Sequence, residues 1–377
     1  MVGLRKIAQR LGVSVIDCWT VLELLKEPLP TAVIGLGKRG LKHISVLERC
    51  PATALVGLCD SRPEALAPFS GAVHTSTDAE RLLSEVGPSA AVVAVSHDAY
   101  MPLIGHCLAK GVSCLKEKPL ARSLSEARQL ERLAAGAEGK LAIAAQRRHG
   151  DMLSAIRAVM AAKGRPPIAF QYVYTLGLTP SGRDWRDSRD LAGGGAILDM
   201  GYHVIDLLTA LLGVPQCVSA FDQRPGGSAD GYVENGATLL LSYPAGTSGT
   251  VIISRHLSPE AERATFWFED ETVEFDGQRV TSVRDGERVW LADMQSSEEL
   301  IHRQLHAFLR LHSGEPNMSC DVASSLESMR AIELCYQALE SDGIAHTRPE
   351  APEPSWRTRS TPAASALAPV REGGFSQ

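Results

Sequence analysis

The stretch "TAVIGLGKRGLKHISVL", residues 31–47, restricts what this chain can fold into more than any other. A short apolar run, Ala32–Ile34, enters Gly35-x-Gly37-x-x-Gly40 and leaves as an amphipathic helix. In a dinucleotide-binding turn the first glycine permits the tight bend and the second lets the backbone approach a pyrophosphate. The third lets the helix pack closely on the strand. The N–H groups at the start of that helix then face the phosphates. A second strand, "ALVGLCD", closes on Asp60, 20 residues beyond Gly40, where an acid accepts hydrogen bonds from ribose hydroxyls. A carboxylate there favours NAD. Arg62 and the loop residues Lys38 and Arg39 offer a seat for a 2′-phosphate instead, so NADP stays open.

Further along, the buried-looking strand "AAVVAVS" is followed by the helix-like "YMPLIGHCLAKG" and the strand "VSCLKEKPL". Strands alternating with helices of this length predict a parallel sheet covered on both faces. Ligands of such sheets bind beyond the carboxyl ends of the strands. The candidates there are Gly35, Gly37, Gly40, Asp60, Ser96, His97, Glu117 and Lys118, with Ser96 and His97 equally readable as ordinary loop residues.

Halfway along the chain, "GGGAILDMGYHVID" (residues 193–206) reads as three glycines running into one helix. On a continuous helix Asp199, His203 and Asp206 share a face, while Ile197, Leu198, Met200, Val204 and Ile205 fill much of the rest. Such a polar stripe either lines a cavity or forms a solvated edge.

Taken together, "GLGKRG", Asp60, "EKPL" at 117–120 and the Gly-rich Asp-x-x-x-His segment occur in an order and spacing that resemble the family of glucose–fructose oxidoreductases, inositol dehydrogenases and rhizopine-catabolism proteins (Gfo/Idh/MocA). The resemblance spans roughly residues 30 to 345. It implies an α/β protein: an N-terminal Rossmann dinucleotide-binding domain, then an α/β domain whose open, mostly antiparallel sheet often makes subunit contacts. The strand-like runs "GATLLLSYPAGTSGTVIISRHL" and "RATFWFEDETVEFDGQRVTSVRDGERVWLAD" agree with that second domain. The expected division is a helical extension over 1–28, the NAD(P) domain over 29–146, the substrate and oligomerisation domain over 147–345, and a flexible Pro/Ala/Ser/Thr-rich tail over 346–377.

The resemblance also implies that Lys118, Asp199 and His203 share catalysis. Oxidising a secondary alcohol requires removal of the hydroxyl proton as hydride leaves the same carbon. His203 is suited to act as general base, and Lys118 to hydrogen-bond the developing alkoxide. Asp199 then orients the imidazole or binds a neighbouring hydroxyl. In reduction either Lys118 or His203 is the proton donor. Glu117 is expected to hold Lys118 or touch the nicotinamide ribose, and Asp206 to support the site or remain a helix-face charge. For the substrate, Trp185 can stack on a sugar face and Arg183 and Arg186 can hydrogen-bond hydroxyls or a phosphate. Tyr202 lines either pocket or core. Where relatives often carry Asn-x-Arg and an aromatic, this chain has Gln146-Arg147-Arg148-His149, so Gln146 is a substrate contact only by analogy.

Composition excludes several other roles. A net charge of −6 leaves no electrostatic footprint for nucleic acid, and no apolar run reaches the roughly 18–20 residues of a membrane span. Eight cysteines without Cys-x-x-Cys or Cys/His spacing predict no metal site and a reducing, cytoplasmic setting. The amphipathic "KIAQRLGVS" segment near the start is too short to be a DNA reader and reads as a packing arm. The expectation is an NAD(P)-dependent dehydrogenase or reductase, a homodimer or homotetramer. It would act on a sugar, sugar nucleotide or cyclitol, with bacterial specialised metabolism as a setting compatible with the Ala/Arg/Gly-rich composition. The alternatives are an imine or conjugated-bond reductase on the same fold and a non-catalytic nucleotide-dependent sensor.

Overall fold

The computed structural model describes residues 22–178, 185–223, 233–315, 321–341 and 344–346. Residues 1–21 of the helical extension, Arg183 and the tail beyond 346 lie outside the described residues. The chain divides into two compact units: Met1–His149 with Ser296–Leu326, and Gly150–Gln295 with Glu327–Gln377.

The first unit is a six-stranded sheet in the order β3-β2-β1-β4-β5-β6. Its strands are β1 (Leu29–Ile34), β2 (Thr53–Cys59), β3 (His74–Ser76), β4 (Ala90–Val93), β5 (Ser113–Glu117) and β6 (Leu141–Ala144). Every pairing is parallel. The strand order reverses at β1/β4, which makes the crevice at their carboxyl ends the ligand site of this architecture. β4 and β6 are buried along their whole length, as strands covered on both faces must be. Helices α1 (Lys38–Leu47), α2 (Pro63–Leu66), α3 (Ala79–Val86), α4 (Tyr100–Ala109) and α5 (Leu124–Ala135) connect them.

A linear division at residue 146 does not anticipate one element of this unit. The segment 296–326 returns to it, and helix Ser297–His312 lends Ile301, Leu305, Phe308 and Leu309 to the core that holds Val33, Ile44 and Leu58. The i, i+4, i+7, i+8 spacing of these four residues supplies the apolar stripe. Ser296 starts the helix by accepting a hydrogen bond from the Glu299 N–H at 3.1 Å.

The second unit is built on a nine-stranded sheet, β14-β13-β12-β11-β7-β10-β9-β8-β15. β7 (Ala169–Thr175) pairs parallel with β10 (Ser248–Ser254), and the remaining pairings are antiparallel. The others are β8 (Cys217–Asp222), β9 (Gly236–Ser242), β11 (Ala261–Trp267), β12 (Thr272–Phe275), β13 (Arg279–Arg284), β14 (Glu287–Asp293) and β15 (Ile344–His346). Alternation sorts the side chains. Phe170, Tyr172, Leu239, Leu241, Val251, Ile253 and Phe266 are buried on one face, where Gly201–Leu212 packs against β7. The register places Phe221, Leu240, Trp267 and Trp290 on the other face, exposed by 63%, 49%, 40% and 46%.

The expected single helix over 196–206 is two. Ala196–Asp199 ends before Met200, and Gly201–Leu212 resumes, with the axes of 189–199 and 201–212 meeting at 55°. Gly201 is the reason the bend can sit against the sheet: a Cβ there would lie 2.7 Å from Ile253 Cδ1. Among the described residues no single helix is long and apolar enough to cross a membrane.

Candidate active site

The glycine loop of the first unit has the geometry its sequence predicts. Gly35 has φ of +93° and its Cβ would meet the Ala94 carbonyl oxygen at 2.4 Å, so only glycine fits the bend. A Cβ on Gly40 would lie 1.9 Å from the Gly35 carbonyl oxygen, which is the close helix–strand contact. Gly37, the residue preceding α1, has nothing within 4 Å of that position. Its backbone therefore faces open space, as a pyrophosphate cradle requires. Lys38 is exposed, and Arg39 carries a buried guanidinium nitrogen, Nη1, with no protein hydrogen-bond partner, which fits an anionic group at the loop.

Asp60, at the end of β2, closes the other side. Its Oδ2 accepts from the Leu36 N–H at 2.7 Å, and its Oδ1 accepts from the Arg62 N–H and Nε, both at 3.0 Å. Burial opposes ionisation of Asp60, yet the Arg62 guanidinium and the backbone N–H groups of Arg62 and Leu36 hold its carboxyl below its usual range. A charged Asp60 suits a ribose diol and repels a 2′-phosphate, and Arg62 is committed to that carboxylate. The residues present fit NAD.

The Glu-Lys-Pro element follows β5. Glu117 is buried and its Oε1 lies 2.9 Å from Nε2 of His43 on α1, so it ties the strand end to the helix that starts in the glycine loop. The pairing with His43 adds a partner that the motif alone does not reveal. Burial pushes the Glu117 carboxyl up, but the His43 hydrogen bond and the nearby Arg39 and Lys118 charges outweigh it and hold it low. Lys118 is half-buried just beyond the strand. Ser96 is half-buried after β4, whereas His97 is buried with its ring stacked on Tyr100, centroids 6.0 Å apart. Beyond the end of β6, Gln146 is buried and His149 half-buried, and the buried atoms Gln146 Oε1 and His149 Nε2 have no protein hydrogen-bond partner. Burial and the Arg148 and Arg303 charges push the His149 imidazole down to about 4.

In the second unit the three glycines do different work. Gly193 has φ of +82° and turns the chain after Arg189–Ala192. Cβ atoms on Gly194 and Gly195 would come within 2.0 Å of the Tyr336 hydroxyl and of the Glu234 carbonyl oxygen respectively. The turn is thus packed onto a partner that local sequence does not reveal. The Glu234 carboxylate accepts from the Ile197 N–H at 2.9 Å, the Gly195 N–H at 3.1 Å and the Tyr336 hydroxyl at 2.9 Å. It fills the donors left open at the start of the Asp199 segment. Burial raises the Glu234 carboxyl and outweighs those hydrogen bonds, and burial beside Glu234 raises the Tyr336 phenol.

Asp199 is half-buried, and its Oδ2 lies 3.3 Å from Nη2 of the buried Arg255 and 3.7 Å from Nε of Arg186. Arg255 stands at the end of β10 and also comes within 4.0 Å of Asp187. The Arg186 guanidinium lies 4.4 Å from the Trp185 ring centroid. Trp185, Arg186 and Asp199 are therefore brought together, and Arg255 is an additional member. Its signal in the sequence is a basic residue closing the apolar run "GTVIISR". His203 is buried near the start of Gly201–Leu212. Asp206 is buried and accepts from the Ser328 hydroxyl at 2.7 Å. Tyr202 is fully buried, so it is a core residue and offers no surface to a substrate. Among the described residues no group of three or more His, Cys, Asp or Glu could hold a metal.

Comparison with known proteins matches residues 29–145 to an oxidoreductase family model with an NAD-binding Rossmann fold, and residues 165–279 to the GFO/IDH/MocA C-terminal domain. A protein of Amycolatopsis mediterranei, assigned as the oxidoreductase subunit of a UDP-kanosamine synthase, is 31% identical over 55% of this chain and 57% of its own length. The 1,5-anhydro-D-fructose reductase of Ensifer adhaerens is 29% identical over 49% of this chain and 56% of its own. The chain thus spans little more than half the length of these curated relatives. Among solved structures, GenD2 from gentamicin A biosynthesis, in complex with NAD, superposes with a TM-score of 0.73 at 22% identity, covering 85% of this chain and 97% of that one. The UDP-N-acetylglucosamine 3-dehydrogenase GnnA from Acidithiobacillus ferrooxidans gives 0.68 at 21%, covering 82% and 97%.

Proposed function

Because this chain belongs to the Gfo/Idh/MocA oxidoreductase family, with an NAD-binding Rossmann domain, we propose that it interconverts a secondary hydroxyl and a ketone on a sugar, sugar nucleotide or cyclitol. The observation that carries the reading is the switch-point crevice of the first unit, where the open Gly37 backbone, ionised Asp60 and Lys118 stand at the ends of β1, β2 and β5. The sugar-directed names of the relatives support the substrate class.

Bound NAD supplies the hydride acceptor. In oxidation the His203 imidazole takes the hydroxyl proton, a contribution of about 10²–10⁴ in rate. The Lys118 ammonium donates a hydrogen bond to the oxygen as negative charge develops on it. Asp199, held by Arg255, accepts from a neighbouring substrate hydroxyl, and Trp185 offers a ring face to the sugar. Arg183 is proposed as a further contact on sequence alone.

Incubation with NAD and a panel of sugars, sugar nucleotides and cyclitols, following NADH absorbance, tests this. Turnover by the wild type that is lost in Lys118→Ala and His203→Ala supports the reading. Full biological activity retained by Lys118→Ala refutes it and favours a sensor. The proposal extends to assembly: a second copy covers the exposed Phe221, Leu240, Trp267 and Trp290 face, giving a homodimer or homotetramer. Light scattering on wild type and Leu240→Glu checks it, a monomeric wild type being the contrary result. We place the protein in the cytoplasm, where its six described free cysteines stay reduced.

A further inference from the structure

Lys116 precedes the Glu-Lys-Pro element on β5 and takes no part in the reaction as written. It is fully buried, in a strand buried at every position. Its Nζ donates to the Glu117 carbonyl at 2.9 Å and to the Pro119 carbonyl, and lies 3.3 Å from the centroid of the Tyr100 ring. Those two carbonyls flank Lys118 on either side in the chain. Packing alone would be served by an apolar residue, as at Leu115 beside it. A buried ammonium is tolerated only where hydrogen bonds and a π face replace its water, and here the replacements all come from the loop that carries Lys118 and from Tyr100.

We propose that Lys116 is a positioning residue for Lys118: its ammonium clamps the carbonyls on both sides of Lys118 and so fixes the direction in which that side chain leaves the strand. The inference rests on the proposed role of Lys118 as hydrogen-bond donor to the substrate oxygen. Burial, reinforced by the Lys118 charge, pulls the Lys116 ammonium well below its ordinary range, while the Glu117 and Glu126 carboxylates oppose that shift. The clamp thus joins a second lysine electrostatically to the first.

The test needs a readout of Lys118 that does not depend on turnover. Reductive ¹³C-methylation of the full-length protein gives each accessible lysine a dimethyl NMR signal, and loss of one signal in Lys118→Arg assigns Lys118. In the wild type that signal is expected to stand apart from those of freely rotating surface lysines. In Lys116→Met it is expected to collapse onto them, with turnover down about 10–100-fold and KM changed less than threefold, because a displaced donor affects mainly the transition state. NADH affinity should stay within threefold, since the glycine loop is untouched. Tyr100→Leu removes only the ring face and should move the same signal in the same direction, which keeps the test alive should Lys116→Met not fold. An unmoved Lys118 signal in a folded variant of either kind overturns the clamp. Absence of NADH binding in the wild type instead sinks the proposed function and leaves the signal to judge the clamp on its own.

Discussion

Glu234 allows the sharpest prediction about how the Asp199 segment is held. Its carboxylate serves two backbone N–H groups and one phenol, all in the interior. Glu234→Ala leaves the Ile197 N–H and the Tyr336 hydroxyl without an acceptor, while the Gly195 N–H keeps the Tyr336 oxygen at 3.2 Å, and each unsatisfied buried group costs about 1–3 kcal/mol. A loss of about 2–6 kcal/mol follows. For a unit of this size it lowers Tm by about 4–24 °C, taking about 2–4 °C per kcal/mol. Glu234→Gln keeps an acceptor oxygen and removes the buried charge, so its stability should fall by less than half as much. The two variants also separate by pH. Burial raises the folded-state value of Glu234 above the ordinary 4.5, so the folded protein holds this proton more tightly than the unfolded chain. The resulting stability is fully present below the unfolded value and is lost as pH rises through the folded one. Wild type should therefore weaken relative to Glu234→Gln as pH rises above 4.5, a difference read from urea midpoints at a series of pH values. Parallel pH profiles for the two, or a Glu234→Ala protein within about 1 kcal/mol of wild type, would refute the argument.

Gly40→Ala places a methyl 1.9 Å from the Gly35 carbonyl oxygen, so the loop must shift, and NADH affinity by fluorescence titration should weaken at least tenfold. His203→Ala should lower kcat by about 10²–10⁴ while NADH binding stays within threefold, separating proton transfer from cofactor binding in steady-state kinetics. Arg255→Met removes the guanidinium 3.3 Å from Asp199, and kcat/KM should fall by about tenfold or more; Arg255→Lys, which lacks the planar fork, should recover only part of it.

The first unit was legible because its determinants are local. Gly35, Gly37 and Gly40 are spaced along a few residues of chain, and Asp60 lies one strand further on, so pattern and geometry coincide. What periodicity missed depends on residues far apart in sequence. Helix Ser297–His312 has an apolar stripe, but nothing in that stripe tells which sheet it will cover. Over 196–206 the apolar pattern runs on without a break, while the interruption at Met200 goes with a contact between Gly201 and Ile253, 52 residues later. The same holds for the glycines at 194 and 195, whose partners Tyr336 and Glu234 are remote. Glu117 was identified as important from its motif, yet its pairing with His43 needed the fold to bring β5 and α1 together. Tyr202 illustrates the converse: a polar-tipped side chain beside site residues that turned inward to the core.

Every step proposed for this protein depends on nicotinamide cofactor binding by the Gly35–Gly40 loop and Asp60. Titration of the purified protein with NADH and separately with NADPH, following energy transfer from its five tryptophans, tests this most directly. Saturable NADH binding at micromolar concentration is expected, at least tenfold tighter than NADPH and weakened in both Asp60→Ala and Gly40→Ala. No binding of either at millimolar concentration, or binding indifferent to both substitutions, would contradict it.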